Sequence, residues 1–219
     1  MRKHTLFFIL CQLVTCASSA QVFNIRDYGM VRDTNQVCTE TIQKAIDACW
    51  QAGGGQVLIP AGLYKSGTIV LKDNVELHLS NGAQLMASAD SKDFINFPPT
   101  SYRSLKDVGG WVALIYADGA KNISLTGSGI IDGRGTGWKG TVNNVPGDCN
   151  GRPRNILFIS CKNVHVKDIT MKNSALWNQH YLNCEDVTVT GIRVWNHCNG
   201  NNDGIDIDGC RRFVLSSSI

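Results

Sequence analysis

The sequence lacks several patterns that are typical of common functional classes. No two cysteines have the C-x-x-C spacing or another spacing typical of zinc ligands. No basic run interleaved with aromatic residues is present, so nothing in the sequence suggests a nucleic-acid surface. No linker or low-complexity tract divides the 219 residues, and no apolar run is long enough to span a bilayer. These absences favour one globular domain without a structural metal or other cofactor.

The first 20 residues combine a basic start, a short apolar run and an end made of small residues. Arg2 and Lys3 precede an apolar stretch from 6 to 14, and Ala20 is a suitable residue before a cleavage site. This order is typical of a secretory signal peptide. We therefore predict that residues 1–20 are removed and that the product is secreted or periplasmic.

A lipid anchor at Cys16 is the alternative interpretation of this segment, because the four residues ending there resemble a lipoprotein cleavage box. Without the first 20 residues the chain keeps 19 basic and 18 acidic residues and is nearly neutral. Residues 21–219 are long enough for one domain with a substantial core. Seven cysteines remain, an odd number, so at least one is expected to be free.

A short phrase recurs along the chain, in which a polar residue enters a strand of alternating apolar residues. The polar positions follow one another at steps of 48, 41, 23 and 26 residues. They are Asn74, Asn122, Asn163, Asp186 and Arg212. We interpret the short steps as single periods, the 48-residue step as two periods, and the 41-residue step as a break in register at a glycine-rich stretch from 133 to 151. No helical pattern separates the strands, so the period predicts an all-β parallel β-helix of roughly eight turns.

Two further features fit this solenoid. Cys161, Cys184 and Cys210 each lie two residues before a repeat position, so they are expected to form one internal column of free thiols. Residues 39–52 carry apolar side chains at helical spacing and end at three glycines, which predicts an amphipathic helix that covers one open end of the solenoid.

The most acidic stretch is Asn199-Gly-Asn-Asn-Asp-Gly-Ile-Asp-Ile-Asp-Gly209, near the end of the chain. It is not an EF-hand, because the residue eleven positions after Asp203 is Val214 rather than Glu. Strand alternation sends Asp206 and Asp208 outward, but it leaves the direction of Asp203 open. Solvated strand carboxylates or turn-stabilising side chains would explain these residues without any chemistry.

Residues 201–206, Asn-Asn-Asp-Gly-Ile-Asp, resemble the Asn-Thr-Asp-Gly-apolar-Asp signature of glycoside hydrolase family 28, the polygalacturonases and their relatives. Asn202 stands where the family usually has Thr. Other stretches are similar to the family in the same order. They are Phe23-Asn-Ile-Arg-Asp-Tyr-Gly29, Ala52-Gly-Gly-Gly-Gln-Val-Leu-Ile-Pro-Ala-Gly62, Gly129-Ile-Ile-Asp-Gly-Arg-Gly-Thr-Gly-Trp138, Arg152-Pro-Arg154 and Asn173-Ser-Ala-Leu-Trp-Asn-Gln-His180.

This resemblance implies a right-handed parallel β-helix that hydrolyses polygalacturonan with inversion at the anomeric carbon. Asp203 matches the family's first catalytic aspartate, one of two that activate the attacking water. Asn201, Asp206 and His180 are the candidate substrate-binding residues. A pectic polysaccharide is the implied substrate, with neither a cofactor nor a metal.

Two alternatives from other functional classes stay open. A polysaccharide lyase on a similar solenoid would abstract a proton beside the uronate and would leave a product that absorbs in the ultraviolet. A β-helix that binds uronans without cleaving them would release no reducing ends.

The family's general acid, its second water-activating aspartate and an Arg-x-Lys clamp for the substrate carboxylate belong to later turns than Asp203. One period after Asp203 falls beyond Ile219. The sequence is therefore expected to be the first part of a longer hydrolase and to release no reducing ends by itself.

Overall fold

The computed structural model describes residues 21–29, 36–97, 111–136, 138 and 151–219. The expected signal segment with Cys16, and Cys149 among the seven remaining cysteines, lie outside these ranges. The helices within these ranges are one α-helix, α1 (Thr39–Gln51), and two short 3-10 helices, Ile25–Tyr28 and Ser91–Asp93. The strands are β1 (Val22–Asn24), β2 (Gly55–Ile59), β3 (Gly62–Ser66), β4 (Ile69–Val70), β5 (Val75–Leu79), β6 (Ala83–Ala87), β7 (Ala113–Asp118), β8 (Lys121–Gly127), β9 (Ile130–Asp132), β10 (Arg154–Ile159), β11 (Lys162–Lys167), β12 (Thr170–Lys172), β13 (Gln179–Leu182), β14 (Glu185–Thr190), β15 (Arg193–Trp195), β16 (Asp206–Asp208) and β17 (Arg211–Ser216).

These seventeen described strands form three sheets in which all hydrogen-bonded neighbours run parallel. Sheet 1 has the order β1-β2-β5-β8-β11-β14-β17, sheet 2 the order β3-β6-β9-β12-β15, and sheet 3 the order β4-β7-β10-β13-β16. From β2 onward the chain visits sheets 1, 2 and 3 in turn and then returns to sheet 1. This topology is the right-handed parallel β-helix, so the predicted fold class is confirmed. No helix in the described part of the chain is long and apolar enough to cross a membrane.

The recurring polar residues form a column at the entrance to sheet 1, as the repeat predicts. All five have a left-handed backbone, with φ between 53° and 62°. Asparagine tolerates this conformation better than most residues do, which explains why it recurs there. The side chain of Asn163 donates to Asn122, and that of Asn122 donates to Asn74, both at 2.8 Å. Farther along the column an ion pair between Arg212 and Asp186 makes the contact between turns.

The interpretation of the 48-residue step as two periods is wrong. β5 and β8 are hydrogen-bonded neighbours in sheet 1, so only one turn separates Asn74 from Asn122. The additional residues lie in the sequence between the end of β6 at Ala87 and the start of β7 at Ala113. Sheet 1 accordingly has seven strands in the described residues, compared with the eight turns expected from length and period.

The helix α1 covers the first turns as predicted. Its apolar stripe of Ile42, Ala45, Ile46 and Cys49 is fully buried, and the helix contacts β1, β2, β4 and β5. The glycines that follow allow a close approach to the solenoid. A Cβ atom at Gly54 would lie 2.5 Å from the carbonyl oxygen of Asn74, so the backbones can meet only if this residue is glycine.

The three cysteines stack at the turn between sheets 3 and 1. Cys161 and Cys184 are buried, whereas Cys210 is half-buried at the last turn, and all three are free. The Cys184 thiol donates to the carbonyl of Phe158 at 3.3 Å. The hydrogen bond with Cys161, together with burial, raises the pKa of Cys184 to about 12. The predicted column of free cysteines is therefore confirmed.

Cys161 and Cys184 are expected to react with a bulky thiol reagent at least about tenfold more slowly than Cys198 in the folded protein, because the reagent attacks exposed thiolate. Cys198 is half-buried in a loop and serves as the internal reference. Peptide mapping by mass spectrometry after timed labelling measures each site. Unfolding should make the three rates similar, and rapid native labelling of Cys161 or Cys184 would contradict the buried column.

Candidate active site

The outward face of β16 carries two of the candidate carboxylates. Asp206 pairs with His180, and Ile207 pairs with Tyr181, which lies in the solenoid core. Ile207 therefore points toward the interior and Asp206 and Asp208 point outward, as the alternation predicts. Asp206 is half-buried, whereas Asp208 is exposed.

Asp203 lies on the loop between β15 and β16, with an exposed side chain. Its main chain is fixed to the turn below, because its carbonyl oxygen accepts from the backbone N–H of Asn178 at 2.7 Å. The Asn196 amide nitrogen lies 3.4 Å from the same oxygen. The loop thus presents a solvent-accessible carboxylate from a backbone position that is hydrogen-bonded on the inner side.

Asn202 anchors the same loop. Its amide nitrogen donates to the carbonyl oxygens of Ser174 at 2.9 Å and Leu176 at 3.0 Å, and its amide oxygen accepts from the backbone N–H of Asn199. Where the family usually has Thr, asparagine here supplies two donors and one acceptor to the loop. The substitution is therefore compatible with an ordered Asp203.

Arg152, which lies two turns earlier just before β10, holds the start of this loop. Its guanidinium donates to the carbonyl of Gly200 at 2.8 Å, to that of Ala175 at 3.0 Å, and to the side-chain oxygen of Asn201 at 3.1 Å. The planar fork of arginine suits several acceptors at fixed angles. The side-chain oxygen of Asn201 is thus engaged within the protein. Sequence reasoning gave Arg152 no role, although it lies in the quoted Arg-Pro-Arg stretch.

His180 lies in the same outward column as Asp206, but its side chain is buried. The residue is 1% exposed, and its ring meets the ring of Trp177 edge-on at 5.0 Å between centroids. Trp177 in turn lies 4.8 Å from the guanidinium carbon of Arg154, a fully buried arginine. Burial, with the nearby positive charge of Arg154, lowers the pKa of His180 to about 3. His180 is therefore neutral near pH 7.

The depressed pKa of His180 predicts a loss of stability in acid. Between the ordinary pKa of 6.5 and about 3, the unfolded chain binds a proton that the folded protein does not bind. The free energy of unfolding therefore falls as the pH drops through 6.5, and this fall ends near the folded pKa. Between about pH 7 and pH 4 the free energy of unfolding of the protein should fall on the order of 3 kcal/mol more than that of the His180→Gln variant.

Urea titrations at several pH values measure this difference, and His165→Gln is the matched control. His165 is exposed and its ring nitrogen meets only the Asn163 side chain among the described contacts. Its replacement should leave the pH dependence unchanged. If the free energy of unfolding falls with pH equally in the parent and the His180→Gln variant, the ring is accessible to protons in the folded protein.

Asp132, in the quoted Gly-Ile-Ile-Asp-Gly stretch, supports the start of the 173–180 motif. Its carboxylate accepts from the backbone of Arg134 at 3.0 Å and from the Asn173 side chain at 3.1 Å, and it forms an ion pair with Lys172 at 3.2 Å. The next glycines allow close packing, since a Cβ atom at Gly135 would lie 2.4 Å from the backbone of Ala175. The sequence feature that could have indicated this supporting role is the position of Asp132 between an apolar strand and glycines.

The arrangement can perform acid–base chemistry with carboxylates. It combines an exposed Asp203, a half-buried Asp206 and a neutral His180 on one face of the last described turns. Within the described ranges, no three His, Cys, Asp or Glu side chains come close enough together to hold a metal ion.

Comparison with known proteins places the chain in a family. The model of glycosyl hydrolases family 28 matches residues 49–219. The chain belongs to this family. An exopolygalacturonase of Platanus acerifolia is 29% identical over 179 residues, which cover 81% of this chain and 44% of the relative. An exo-poly-alpha-D-galacturonosidase of Dickeya chrysanthemi is 25% identical, over 94% of this chain and 41% of the relative.

The solved structure of an exopolygalacturonase from Thermotoga maritima superposes with a TM-score of 0.77 at 26% identity, over 90% of this chain and 52% of that one. The family-28 chain described here spans about two fifths of the length of these two curated relatives.

Proposed function

We propose that the protein acts in the hydrolysis of glycosidic bonds in polygalacturonan, the pectin-type substrate. The observation that carries this proposal is the exposed carboxylate of Asp203 on a loop whose backbone is hydrogen-bonded to the preceding turn, three residues before the outward Asp206. Membership of family 28 and the names of the relatives support the substrate class. A pectic polysaccharide is thus the proposed partner of this face.

The proposed chemistry is an inverting two-carboxylate mechanism. One carboxylic acid protonates the leaving oxygen, while an ionised carboxylate activates water on the opposite face of the sugar, typically about 6.5 to 9.5 Å away. Asp203 is assigned to water activation, because it is exposed and its loop is fixed at the backbone. The general acid is not assigned to a described residue.

The three candidate binding residues have different proposed roles. Asn201 has its oxygen engaged by Arg152, so its amide nitrogen is assigned to a substrate hydroxyl. Asp206 is assigned to contacts with the sugar at the cleavage point. His180 is assigned to positioning, since its buried neutral ring supports the strand that pairs with β16.

We further propose that the protein removes sugars from an end of the polymer. Outward side chains alternate with buried ones on β11 in sheet 1, but every residue of β10 and β13 in sheet 3 is buried. Trp111 and Phe97, from the segment between β6 and β7, pack against the outward residues Leu157 and Leu182 as one cluster. A polymer therefore has no free surface over β10 and β13. The names of the two curated relatives support this mode.

Product analysis tests both proposals. The full natural protein that carries this chain, incubated with polygalacturonate, should release monogalacturonate or another single short product from the start, with little loss of viscosity. An early mixture of long oligomers would contradict action at chain ends. Ultraviolet-absorbing products would indicate a lyase, and binding without new reducing ends would indicate a non-catalytic uronan-binding protein.

Export of the protein remains a proposal that rests on the composition of residues 1–20. N-terminal sequencing of the exported product should begin at Gln21. A lipid-modified N-terminus at Cys16 would replace this proposal with the anchored alternative.

A further inference from the structure

A second candidate site lies at the opposite end of sheet 3 from Asp203. An open cavity of about 450 Å³ is formed beside β4 and β7, where the end of α1 meets the turn between sheets 3 and 1. This volume falls within the range of small-molecule sites. The side chains that give the cavity its chemistry are Trp50, Lys72, Asp73, Phe97, Tyr116 and Asp118.

Aromatic rings form the apolar part of this cavity. Trp50 is 45% exposed at the end of α1, although a large aromatic side chain normally stabilises a protein most when it is buried. Phe97 and Tyr116 stack with their centroids 4.8 Å apart and an interplanar angle of 20°. The indole of Trp50 thus keeps accessible surface, although the Lys72 ammonium covers one of its faces, and the stacked pair forms a fixed apolar wall.

The charges of the cavity favour a neutral ligand over an anionic one. The Lys72 ammonium lies 4.5 Å from the centre of the Trp50 ring and 2.8 Å from the carboxylate of Asp47, which offsets its charge. Two further carboxylates, of Asp73 and Asp118, line the cavity. One Asp73 oxygen accepts from the backbone of Lys121 at 2.8 Å, and a carboxylate has acceptor sites for more than one donor. An added uronate carboxylate would face a local excess of negative charge.

We propose that this cavity, with Trp50 as its stacking surface, is a binding subsite for a neutral sugar. The apolar face of a pyranose fits against the indole ring, hydroxyl groups donate to the carboxylates of Asp73 and Asp118, and Lys72 donates to a ring or hydroxyl oxygen. The candidate catalytic residues carry no part of this site.

The cavity is separate from the Asp203 face. Tyr116 and Asp206 lie in the same outward column but three strands apart, a distance of about 14 Å at the usual spacing of neighbouring strands. The outward residues of the strands between them are buried, so one sugar chain cannot lie on the sheet surface from one site to the other. A neutral branch of an acidic polysaccharide would be the natural source of the ligand, and this source alone rests on the proposed function.

Galactose and galacturonate are a matched pair of probes, because they share one ring and differ only at carbon 6. Calorimetric titration of the 219-residue chain should show millimolar binding of galactose, or of arabinose or rhamnose as further neutral probes. Galacturonate should bind at least about tenfold more weakly than the best neutral sugar. Trp50→Ala should weaken neutral-sugar binding at least about tenfold. The double variant Asp73→Asn, Asp118→Asn should reduce the difference in affinity between the neutral sugar and galacturonate.

Trp195→Ala is the control, because Trp195 is the most exposed tryptophan of the described residues and lies in sheet 2. Its removal should leave the affinity for the neutral sugar unchanged, as should Asp203→Asn. Circular dichroism checks that each variant is folded. Absence of Trp50-dependent binding by every neutral probe, or equal binding of galactose and galacturonate, would overturn the proposal. If the sugar binds at Trp50 while the natural protein does not cleave polygalacturonate, the subsite stands and the proposed function fails.

Discussion

Replacing Asp203 with asparagine should lower the turnover of polygalacturonate by a factor of about 10² to 10⁴, the usual scale for a positioned acid or base. Asparagine has nearly the shape of aspartate but cannot accept the proton from an attacking water. The contacts that hold the loop involve the carbonyl oxygen of Asp203 and not its carboxylate, so they survive the change. Release of reducing ends by the full natural protein, measured at saturating substrate, gives the turnover.

The fold and the binding of oligogalacturonate should persist in the Asp203→Asn variant, and Asp168→Asn is the matched control. Asp168 is also exposed and lies at the turn between sheets 1 and 2, with a left-handed backbone that asparagine tolerates. Turnover by this control should stay within a few-fold of the parent. If the Asp203→Asn variant also keeps its turnover within a few-fold, water activation belongs to a different carboxylate.

The repeat in the sequence predicts the solenoid because each turn uses the same local conformation. The left-handed corner before sheet 1 favours asparagine, so Asn122 and Asn163 mark the register in the sequence and meet in the structure. The segment between β6 and β7 has no such marker in its sequence. The step from Asn74 to Asn122 therefore has the length of two periods, although the two residues lie in neighbouring turns.

The side-chain directions in the candidate site can be predicted from strand alternation. The contacts that join segments far apart in the sequence cannot. Alternation alone is enough to place Asp206 on the outward face. The buried His180 ring meets Trp177 and lies near the charge of Arg154, and strand alternation alone does not predict this environment. The contact of Arg152 with the Asn201 side chain joins positions 49 residues apart, so only the stacking of turns reveals it.

Phe158→Ala should lower the free energy of unfolding by about 3 to 5 kcal/mol, the usual cost of removing a buried phenylalanine ring. Phe158 is buried in β10, where its neighbours in register are Ala117 and Tyr181. Its ring meets that of Tyr181 at 5.8 Å and 75°, an edge-to-face contact. The small Ala117 side chain cannot fill the space that the ring leaves. Urea unfolding followed by circular dichroism measures the loss, and Phe158→Leu should recover part of it.

Leu63→Ala is the surface control, because Leu63 is a large apolar residue in strand β3 and is itself 51% exposed. Its replacement should lower the free energy of unfolding by less than about 1 kcal/mol. The two variants also test how the solenoid transmits a defect, because each turn packs mainly on its neighbours. Hydrogen exchange in Phe158→Ala should speed up most in β7, β10 and β13, while β2 and the helix α1 keep more of their protection. Equal acceleration at both ends would show that the turns unfold as one unit, and a cost near that of Leu63→Ala would contradict the close packing around Phe158.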